Sequence, residues 1–494
     1  MAAEGRPAAA EQTGQAERTG QPGPARRTKA HGIADFSGIR AEFNLPGDYP
    51  TAALVEAEQA VSVPLGTRED ATDLPMVTID PPGAKDLDQA MLLRRLPRGG
   101  FRLDYAIADP GHFIRPGGAL DAESRRRGQT LYLPDELVPL HPPLLSEEAA
   151  SLLPDEVRPA VLWTIDCDSD GLPERVDVRR ALVRSVAQLD YDTVRDRLLA
   201  GTPHPSYALL PVLGRLRREL AVSRGAVELQ LPEQQAVADE SGGWKLVLRS
   251  RVDVEAWNAE LSLLTGMAAA DLMLGAGIGV LRTLPPPEPE AMDSLRRRAN
   301  ALGVPWPPQE SAARVLASLD PSRPETLAFH VDATRLLRGA GYSVLDTAAG
   351  LHAETTVHAG IGAPYAHVTA PIRRLVDRFA TEVCLAVAAG GDVPVWTRAA
   401  LPELPALMAA SDALASRVDR ACLAQVEAWV LAERVGETFP AVVLHAEAHG
   451  GEVFVADPPV VSRCVGDDLP EGERIEVRLA EADVVRRKVT FAPA

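Results

Sequence analysis

The segment TIDPPGAKDLDQA, residues 78–90, places three carboxylates within nine residues, where an alternating apolar strand ends at Asp80 and Pro-Pro-Gly breaks it. In extended chain Asp86 and Asp88 point to the same face, because side chains alternate along a strand. Carboxylates this close repel one another unless a cation lies between them, and oxygen ligands favour Mg²⁺ or Mn²⁺. The residues predict a divalent-metal site. A polar turn of capping aspartates is the alternative.

The strand after this segment leads into a predicted hairpin. Apolar residues flank the turn Pro97-Arg98-Gly99-Gly100 on both sides. A four-residue loop would pair Leu96 with Phe101, and would then place Asp88 opposite Asp109 with Cβ atoms about 5 Å apart. That pair of carboxylates would need a bridging cation, whereas a one-residue shift in register would separate them.

A second chemical motif is YAHVTAPIRRLVDR, residues 365–378. Its Thr-Ala-Pro start and the later Gly-Gly pair predict a helix over residues 371–389. Arg373 and Arg374 would lie in its first turn, where free N–H groups and the helix dipole favour an anion. Guanidinium groups add bidentate phosphate binding. An exposed face of salt bridges is the alternative.

Composition limits the classes of function. The formal net charge of −18 argues against indiscriminate binding of polyanions, although a local basic channel can exist on an acidic protein. The four cysteines are scattered and form no C-x-x-C pair, which excludes a zinc knuckle and predicts a reducing, cytoplasmic location. The longest apolar stretch, residues 261–281, contains Asp271 and predicts a buried helix and no membrane span.

The composition and hydrophobic pattern of the chain predict four segments. Residues 1–32 have too few large apolar side chains to fold and predict a disordered tail, and residues 33–73 predict a short helical lead-in. Strands and then helices follow over residues 74–432. Residues 433–494 predict a small β-barrel of the OB type, degenerate because it is acidic and has few exposed aromatics. Its four predicted strands cover residues 439–445, 451–456, 474–479 and 488–491.

Taken together, these motifs resemble the RNB catalytic domain of the ribonuclease II / ribonuclease R family. Residues 78–90 match the family's T-I-D-x-x-x-[AST]-x-D-[FLM]-D-D-A segment except at Gln89. The resemblance covers residues 74–432. It implies an α+β fold, in which a mixed sheet is wrapped by helices around an RNA channel and followed by the small barrel. Further similar segments occur in the family's order: AIAD at 106–109, TLYLP at 130–134, LS…SLLP…R at 145–158, WNAE…M at 257–267 and HVTAPIRR at 367–374.

The resemblance implies Mg²⁺-dependent hydrolysis of single-stranded RNA from its 3′ end, which releases nucleoside 5′-monophosphates. Asp80, Asp86 and Asp88 would hold Mg²⁺, or Mn²⁺ in its place, with Asp86 and Asp88 also organising the attacking water. Arg373 would stabilise charge developing on the scissile phosphate. Gln89 would be a fourth ligand that supplies an amide oxygen but no charge.

Gln89 also leaves a second function open. A protein of this family that lost turnover through Gln89 would be a catalytically impaired RNA-binding protein that keeps the channel. A metal-dependent phosphohydrolase of small nucleotides is a third hypothesis.

The resemblance also implies RNA contacts. Tyr132 would stack on a base near the 3′ end, and Glu260 would probe the 2′-hydroxyl group that distinguishes RNA from DNA. His367 and Arg374 would contribute further RNA contacts. We expect a monomer whose partner is single-stranded RNA, with no haem or nucleotide cofactor and no membrane association.

Overall fold

The computed structural model of the protein describes residues 35–229, 231–240, 242–249, 251–320 and 322–494. The predicted disordered tail, residues 1–32, lies outside the described residues. The described part begins with two short helices, α1 (Ser37–Glu42) and α2 (Thr51–Ala60), within the segment expected to be a helical lead-in.

A mixed six-stranded sheet positions the acidic segment. Its strands lie in the order β1-β8-β2-β3-β4-β7, and β8 also pairs with β7. The first part of β8 runs antiparallel to β7, and its end runs parallel to β2, where Asp80 pairs with Asp190. The strands of this region, including a separate two-stranded pair β5–β6, are β1 (Glu69–Asp70), β2 (Met76–Asp80), β3 (Gln89–Arg95), β4 (Phe101–Ala108), β5 (Leu131–Tyr132), β6 (Leu137–Val138), β7 (Val157–Cys167) and β8 (Pro173–Asp190).

The sheet buries both of its faces. On β3, Met91 and Leu93 join one core cluster, and Ala90 and Leu92 join another. This separation follows from the two-residue period of a strand, which sends successive side chains to opposite faces. The two apolar layers explain why the strand is a nearly continuous hydrophobic run.

Helices cover the sheet. The first of the two clusters includes residues of α6 (Asp253–Ala276) and α10 (Leu375–Ala388), and the second includes residues of α2 and α3 (Ala119–Arg127). Predicted helices at 119–127 and 289–302 match α3 and α7 closely. The helices are α3 (Ala119–Arg127), α4 (Tyr191–Leu199), α5 (Leu210–Ser223), α6 (Asp253–Ala276), α7 (Pro289–Ala301), α8 (Ala312–Ser318), α9 (Pro324–Ala333), α10 (Leu375–Ala388), α11 (Val395–Ala400) and α12 (Leu404–Leu431).

Helix α6 accounts for most of the long apolar stretch. By length and composition alone it is the one helix of the described residues that could cross a membrane, and half of its most apolar window is buried. The core helix of a globular protein passes the same test. Leu261 and Leu264 of α6 are fully buried in the main core cluster. The stretch then leaves the helix, since residues after Gly277 form a strand.

Two antiparallel strand pairs interrupt the helical region and were not predicted. One is a hairpin that joins β9 (Glu233–Ala238) to β10 (Trp244–Arg249). The other is not a hairpin: it pairs β11 (Ile278–Thr283) with β12 (Gly341–Asp346), and the helices α7, α8 and α9 lie between these strands in the sequence. The second pairs strands about 60 residues apart in the sequence, which local patterns cannot reveal.

The C-terminal segment is the predicted small barrel, closed by five strands rather than the expected four. The missed strand, β15, begins at Pro459, the second proline of a Pro-Pro pair, and such a pair is more typical of a turn. The barrel closes in the order β13-β14-β15-β17-β16. Its strands are β13 (Thr438–Glu447), β14 (Gly450–Ala456), β15 (Pro459–Cys464), β16 (Arg474–Asp483) and β17 (Lys488–Pro493).

The predicted register of the β3–β4 hairpin is wrong by one residue. Arg95, not Leu96, pairs with Phe101, so the loop has five residues, and Ala108 donates its N–H to the Asp88 carbonyl at 2.8 Å. Gly100 has a φ of +77°, and a Cβ there would lie 2.2 Å from the Cys167 carbonyl oxygen. The shift sends the Asp109 side chain away from the acidic segment.

Candidate active site

Asp80, Asp86 and Asp88 line one cleft of about 880 Å³, together with Arg373 and Tyr132. Asp80 is the last residue of β2, and Asp88 immediately precedes β3. The Pro-Pro-Gly break turns the chain between these two strands, and Gly83 has a φ of +80°, which a side chain would disfavour. The geometry therefore gathers the three predicted carboxylates at one end of the sheet.

A serine outside the predicted set holds the loop that carries Asp86. The Ser151 hydroxyl donates to the Lys85 carbonyl at 2.6 Å and accepts the Leu87 N–H at 3.0 Å. The Leu152 N–H donates to the Leu87 carbonyl at 3.0 Å. The backbone on both sides of Asp86 is thus fixed, so that its carboxylate is held toward the cleft.

Asp88 is the most buried of the three carboxylates, with 5% of the residue exposed. Its Oδ1 accepts the Ile372 N–H at 2.8 Å, and its Oδ2 lies 3.6 Å from Nε of Arg373. Burial raises the pKa of Asp88 to about 8, against the lowering effect of the Arg373 charge. A carboxylate held this far from water favours a cationic partner over solvent.

Asp80, like Asp88, is a carboxyl group whose pKa is raised by burial. Burial raises its pKa to about 7, and the charge of Asp86 contributes in the same direction. Its Oδ2 is buried and has no hydrogen-bond partner among the described residues. An orphaned buried carboxylate oxygen is costly, and it marks the position of a ligand or an ordered water.

Arg373 reaches the cleft from a tight turn, because the predicted helix starts later than expected. The helix begins at Leu375, so Arg373 and Arg374 precede it and the prediction of a first-turn position is wrong. Asp377 stops the helix from extending backward, since its carboxylate accepts the Ala370 N–H at 2.7 Å. The side chain of Arg373 is 45% exposed and faces the carboxylates.

Arg374 forms an ion pair within its own turn of the chain. Its guanidinium makes two hydrogen bonds of 2.8 Å to Asp377. Together with Gln129 and Tyr132 it lines a smaller pocket of about 390 Å³ that adjoins the cleft. Arg374 therefore faces a second opening beside Arg373, but its charge is already neutralised by Asp377.

Gln89 borders the cleft, yet its amide is engaged on the other face of the sheet. Its Oε1 accepts the Tyr105 hydroxyl at 2.7 Å and the Ser262 hydroxyl at 3.3 Å. Its Nε2 donates to the Thr369 carbonyl at 2.6 Å. The two-residue period of a strand separates Gln89 from Asp88, so this arrangement presents no free Gln89 oxygen to a metal bound by the aspartates.

Glu260 and His367 lie outside the cleft. Glu260 is buried on α6, and burial raises its pKa despite the nearby charges of Arg217 and Arg224. His367 is also buried, and its Nδ1 is 2.8 Å from the Tyr342 hydroxyl. Burial lowers the pKa of His367, so this imidazole is neutral. Neither side chain is placed to touch RNA in the cleft.

Other polar residues line the cleft where Glu260 does not. Glu255 and Asn258 line the cleft from α6, and Tyr191 lines it from the start of α4. Asn258 donates to the Ile79 carbonyl at 3.3 Å. On an α-helix, residues three apart share a face, whereas Glu260 is turned about 200° from Asn258. Helical periodicity, counted from Asn258, would have predicted that Asn258 and Glu260 lie on different faces of α6.

Tyr132 stands at the boundary of the cleft and the smaller pocket. It is 51% exposed, and its hydroxyl donates to Asp86 Oδ2 at 3.0 Å. The Thr130 N–H donates to the Arg373 carbonyl at 3.0 Å, which ties the tyrosine loop to the arginine turn. An exposed ring beside the carboxylates is a surface on which a base can stack.

The carboxylates fit a hard divalent cation without forming a complete cage. Among the described residues, no three His, Cys, Asp or Glu side chains are already close enough to enclose an ion. Mg²⁺ usually takes one or two carboxylates and completes its shell with water and substrate phosphate. The orphaned Asp80 oxygen and the neighbouring Asp86 and Asp88 supply that kind of partial, all-oxygen site.

Two protein-family models match the chain. The model of the RNB domain matches residues 68–387, and that of the RNase II-type exonuclease C-terminal S1 domain matches residues 437–494. Since the first match covers more than half of the chain, the protein belongs to the RNB family, that of the ribonuclease II and ribonuclease R exoribonucleases. The resemblance predicted from the motifs is confirmed, and so is the α+β fold with its barrel.

One sequence relative is ribonuclease R of Chlamydia trachomatis, which is 29% identical over 357 residues, covering 69% of this chain and 50% of the relative. The chain spans half or less of the length of the relatives it matches.

Solved structures of two other proteins share the fold. The apo form of Mycoplasma genitalium RNase R matches 93% of this chain and 77% of its own, with a TM-score of 0.82 and 21% identity. The same protein has been solved with ribose-methylated single-stranded RNA. Yeast Ssd1, described as a pseudonuclease, matches 88% of this chain and 54% of its own, with a TM-score of 0.69 and 18% identity.

Proposed function

We propose that this protein is a Mg²⁺-dependent exoribonuclease that hydrolyses single-stranded RNA from its 3′ end and releases nucleoside 5′-monophosphates. The observation that carries the proposal is the convergence of Asp80, Asp86 and Asp88 with Arg373 in one cleft. A divalent cation, Mg²⁺ or Mn²⁺, would be held by carboxylate oxygens from Asp80, Asp86 and Asp88 together with water and substrate phosphate, and it would supply a lowered water pKa and charge stabilisation.

The chain's own groups have separable tasks. Asp88, fixed by the Ile372 N–H, accepts a proton or orients a water at its Oδ2. Arg373 is a cation on a rigid turn, so it can neutralise charge on the phosphoryl oxygens as the bond to the leaving group breaks. Tyr132 supports a base by stacking, and its hydroxyl is held by Asp86.

The RNA preference rests on groups that can read a ribose. Asn258, Glu255 and Tyr191 offer amide, carboxylate and hydroxyl groups in the cleft, which can bond a 2′-hydroxyl as donors or acceptors. They replace Glu260 in this role, since Glu260 is buried elsewhere. The RNA complex of Mycoplasma genitalium RNase R, a protein of the same fold, supports single-stranded RNA as the ligand class.

A specific departure favours the second candidate, an RNA-binding protein without turnover. Gln89 stands where the family motif has aspartate, and the fold is shared with a protein described as a pseudonuclease. The engaged amide of Gln89 argues against this candidate, because Asp80, Asp86 and Asp88 form the acidic cleft without it.

One assay separates the candidates. The purified full chain is incubated with 5′-labelled single-stranded RNA, in Mg²⁺ or in EDTA, beside a DNA strand of the same sequence. Stepwise, Mg²⁺-dependent shortening of the RNA alone is the expected result. Binding without shortening would overturn the exonuclease in favour of the RNA-binding protein, and the absence of any interaction with RNA would favour the phosphohydrolase.

We propose that it acts as a monomer in a reducing cytoplasm. All four cysteines lie in the described part of the chain as buried free thiols, which is the state that a reducing compartment maintains.

A further inference from the structure

The loop that carries Tyr132 is too small to hold its own shape. Its strands β5 and β6 pair through only two residues each, Leu131 with Val138 and Tyr132 with Leu137. An isolated hairpin of this size is marginally stable in water. Thr130 fixes the base of the loop on Arg373, but the tip, residues 133–136, lies along the cleft wall. The tip is supported by other parts of the molecule, since Leu133 is buried in the apolar cluster that also contains Ile39 of α1.

The N-terminal helix α1 supplies that support. Arg40 makes two hydrogen bonds to the Asp135 carboxylate at the tip, of 2.9 and 2.7 Å. The Phe36 N–H donates to the same carboxylate at 3.4 Å. A bidentate guanidinium–carboxylate pair fixes orientation as well as distance.

The segment after α1 holds the other end of the loop. The Tyr49 hydroxyl donates to the Pro139 carbonyl at 2.6 Å. Arg127 donates to the Pro139 carbonyl at 3.1 Å and to the Gly47 carbonyl at 2.7 Å, and its guanidinium lies 3.8 Å from the centre of the Tyr49 ring. The tip and the C-terminal end of the hairpin are therefore both tied to residues 36–49.

Helix α1 is itself firmly anchored. Phe36 is fully buried and makes edge contacts with the rings of Trp244 in β10 and Trp429 in α12, at centroid distances of 5.1 and 5.4 Å. Ile39 is buried in the same apolar cluster as Leu131 and the barrel core. A brace anchored in a core can transmit a fixed position to the loop it contacts.

We propose that Arg40 is a positioning residue that holds Tyr132 in place to receive RNA, so that α1 is a working part of the RNA-binding cleft. The inference rests on the proposed function, in which Tyr132 stacks on a base. Arg40 acts through Asp135 and the hairpin, and it needs no contact with the RNA.

A purely electrostatic role for the pair predicts a different result. Asp135 lines the cleft, so removing Arg40 exposes a negative charge that repels RNA, and removing the charge of Asp135 would attract RNA. Arg40→Ala and Asp135→Asn would then act in opposite directions. A positioning role predicts that both weaken binding, because each breaks the same brace.

The experiment measures the affinity of the full chain for single-stranded RNA that carries 2-aminopurine at its 3′ end, in EDTA so that no turnover is needed. We expect Arg40→Ala and Asp135→Asn each to weaken binding by about three- to tenfold and to reduce quenching of the stacked base. Arg40→Lys should recover part of both. The matched control is Arg102→Ala, which breaks an equally bidentate pair with Asp166 on the sheet, away from the loop.

A double-mutant cycle with Tyr132→Ala completes the test. If Arg40 acts through Tyr132, Arg40→Ala adds little in the Tyr132→Ala background. Additive effects, opposite signs for Arg40→Ala and Asp135→Asn, or an unchanged affinity in Arg40→Ala would overturn the inference. Wild-type protein that binds this RNA but never shortens it in Mg²⁺ would overturn only the proposed hydrolysis, since the cycle does not depend on turnover.

Discussion

Asp88 and Gln89 are adjacent in the chain but lie on opposite faces of the sheet. The polar groups on the Gln89 face are hydrogen-bonded to one another, whereas the carboxylates on the Asp88 face are not. On the Gln89 face, the amide, the Tyr105 hydroxyl and the Ser262 hydroxyl bond to one another. On the Asp88 face, Asp80 has an orphaned buried oxygen, and burial raises the pKa of both aspartates. Satisfied polar groups hold a structure together, whereas unsatisfied ones mark where a ligand completes the structure.

The largest effect on the cleft face should come from removing the positive charge of Arg373. Arg373→Ala should lower kcat for RNA cleavage by about 10²- to 10³-fold, because one preorganised electrostatic contact to the transition state is lost. RNA affinity in EDTA should fall much less. Single-turnover cleavage and equilibrium binding measure the two quantities. Arg94→Ala, at the solvent-exposed end of β3, is the control, and an equal loss there would contradict a specific role for Arg373.

Removing the stacking surface should have a smaller effect. Tyr132→Ala should weaken RNA binding by about 1–3 kcal/mol, the usual value of one base–aromatic stack, while Tyr132→Phe should keep most of the affinity. The phenylalanine variant removes only the hydroxyl bond to Asp86. Fluorescence anisotropy with labelled RNA measures both variants. Equal losses in the two would show that the hydroxyl, and not the ring, is the binding feature.

A change on the satisfied face should affect folding rather than metal use. Gln89→Asp removes the donor to the Thr369 carbonyl and should cost about 1–3 kcal/mol of unfolding free energy. The Mg²⁺ concentration for half-maximal cleavage should stay unchanged, although the family motif alone would predict that it falls. Denaturant unfolding and a Mg²⁺ titration test the two statements. A lowered Mg²⁺ requirement would show that position 89 reaches the ion.

The smallest effect lies far from the cleft. Burial raises the pKa of Glu427, on α12, to about 7, and its Oε1 accepts a hydrogen bond from Gln234 of β9. Because the folded pKa is above the unfolded value, this group's contribution to stability is complete at low pH and is lost as pH rises toward and past 7. Glu427→Gln should therefore raise the melting temperature at pH 8 and leave it nearly unchanged at pH 4. Equal shifts at both pH values would contradict the assigned ionisation.

The sequence predicted the acidic cleft well because its information is local. The spacing of Asp86 and Asp88, the break after Asp80 and the order of the motifs are properties of short segments. The helices α3 and α7 were predicted equally well, since each has a clear periodic pattern and a terminating signal.

What the sequence did not predict depended on contacts between distant segments. The late start of α10 is imposed by Asp377 binding back to Ala370, and the role of α1 depends on a pairing between Arg40 and Asp135 that spans 95 residues. The position of Glu260 was transferred from a motif, and only the contacts of α6 show which side faces the cleft. A five-residue hairpin loop with two glycines of positive φ changed the register that placed Asp109.

The most direct test of the cleft is a Mn²⁺ titration of the full chain, followed by electron paramagnetic resonance, in the presence of a non-hydrolysable RNA. Wild-type protein and Gln89→Met, which has no side-chain oxygen, should bind Mn²⁺ equally. The double variant Asp80→Asn/Asp88→Asn should lose that binding while still folding. Undiminished Mn²⁺ binding in the double variant, or its loss in Gln89→Met, would contradict the assignment of the ion to the aspartate face.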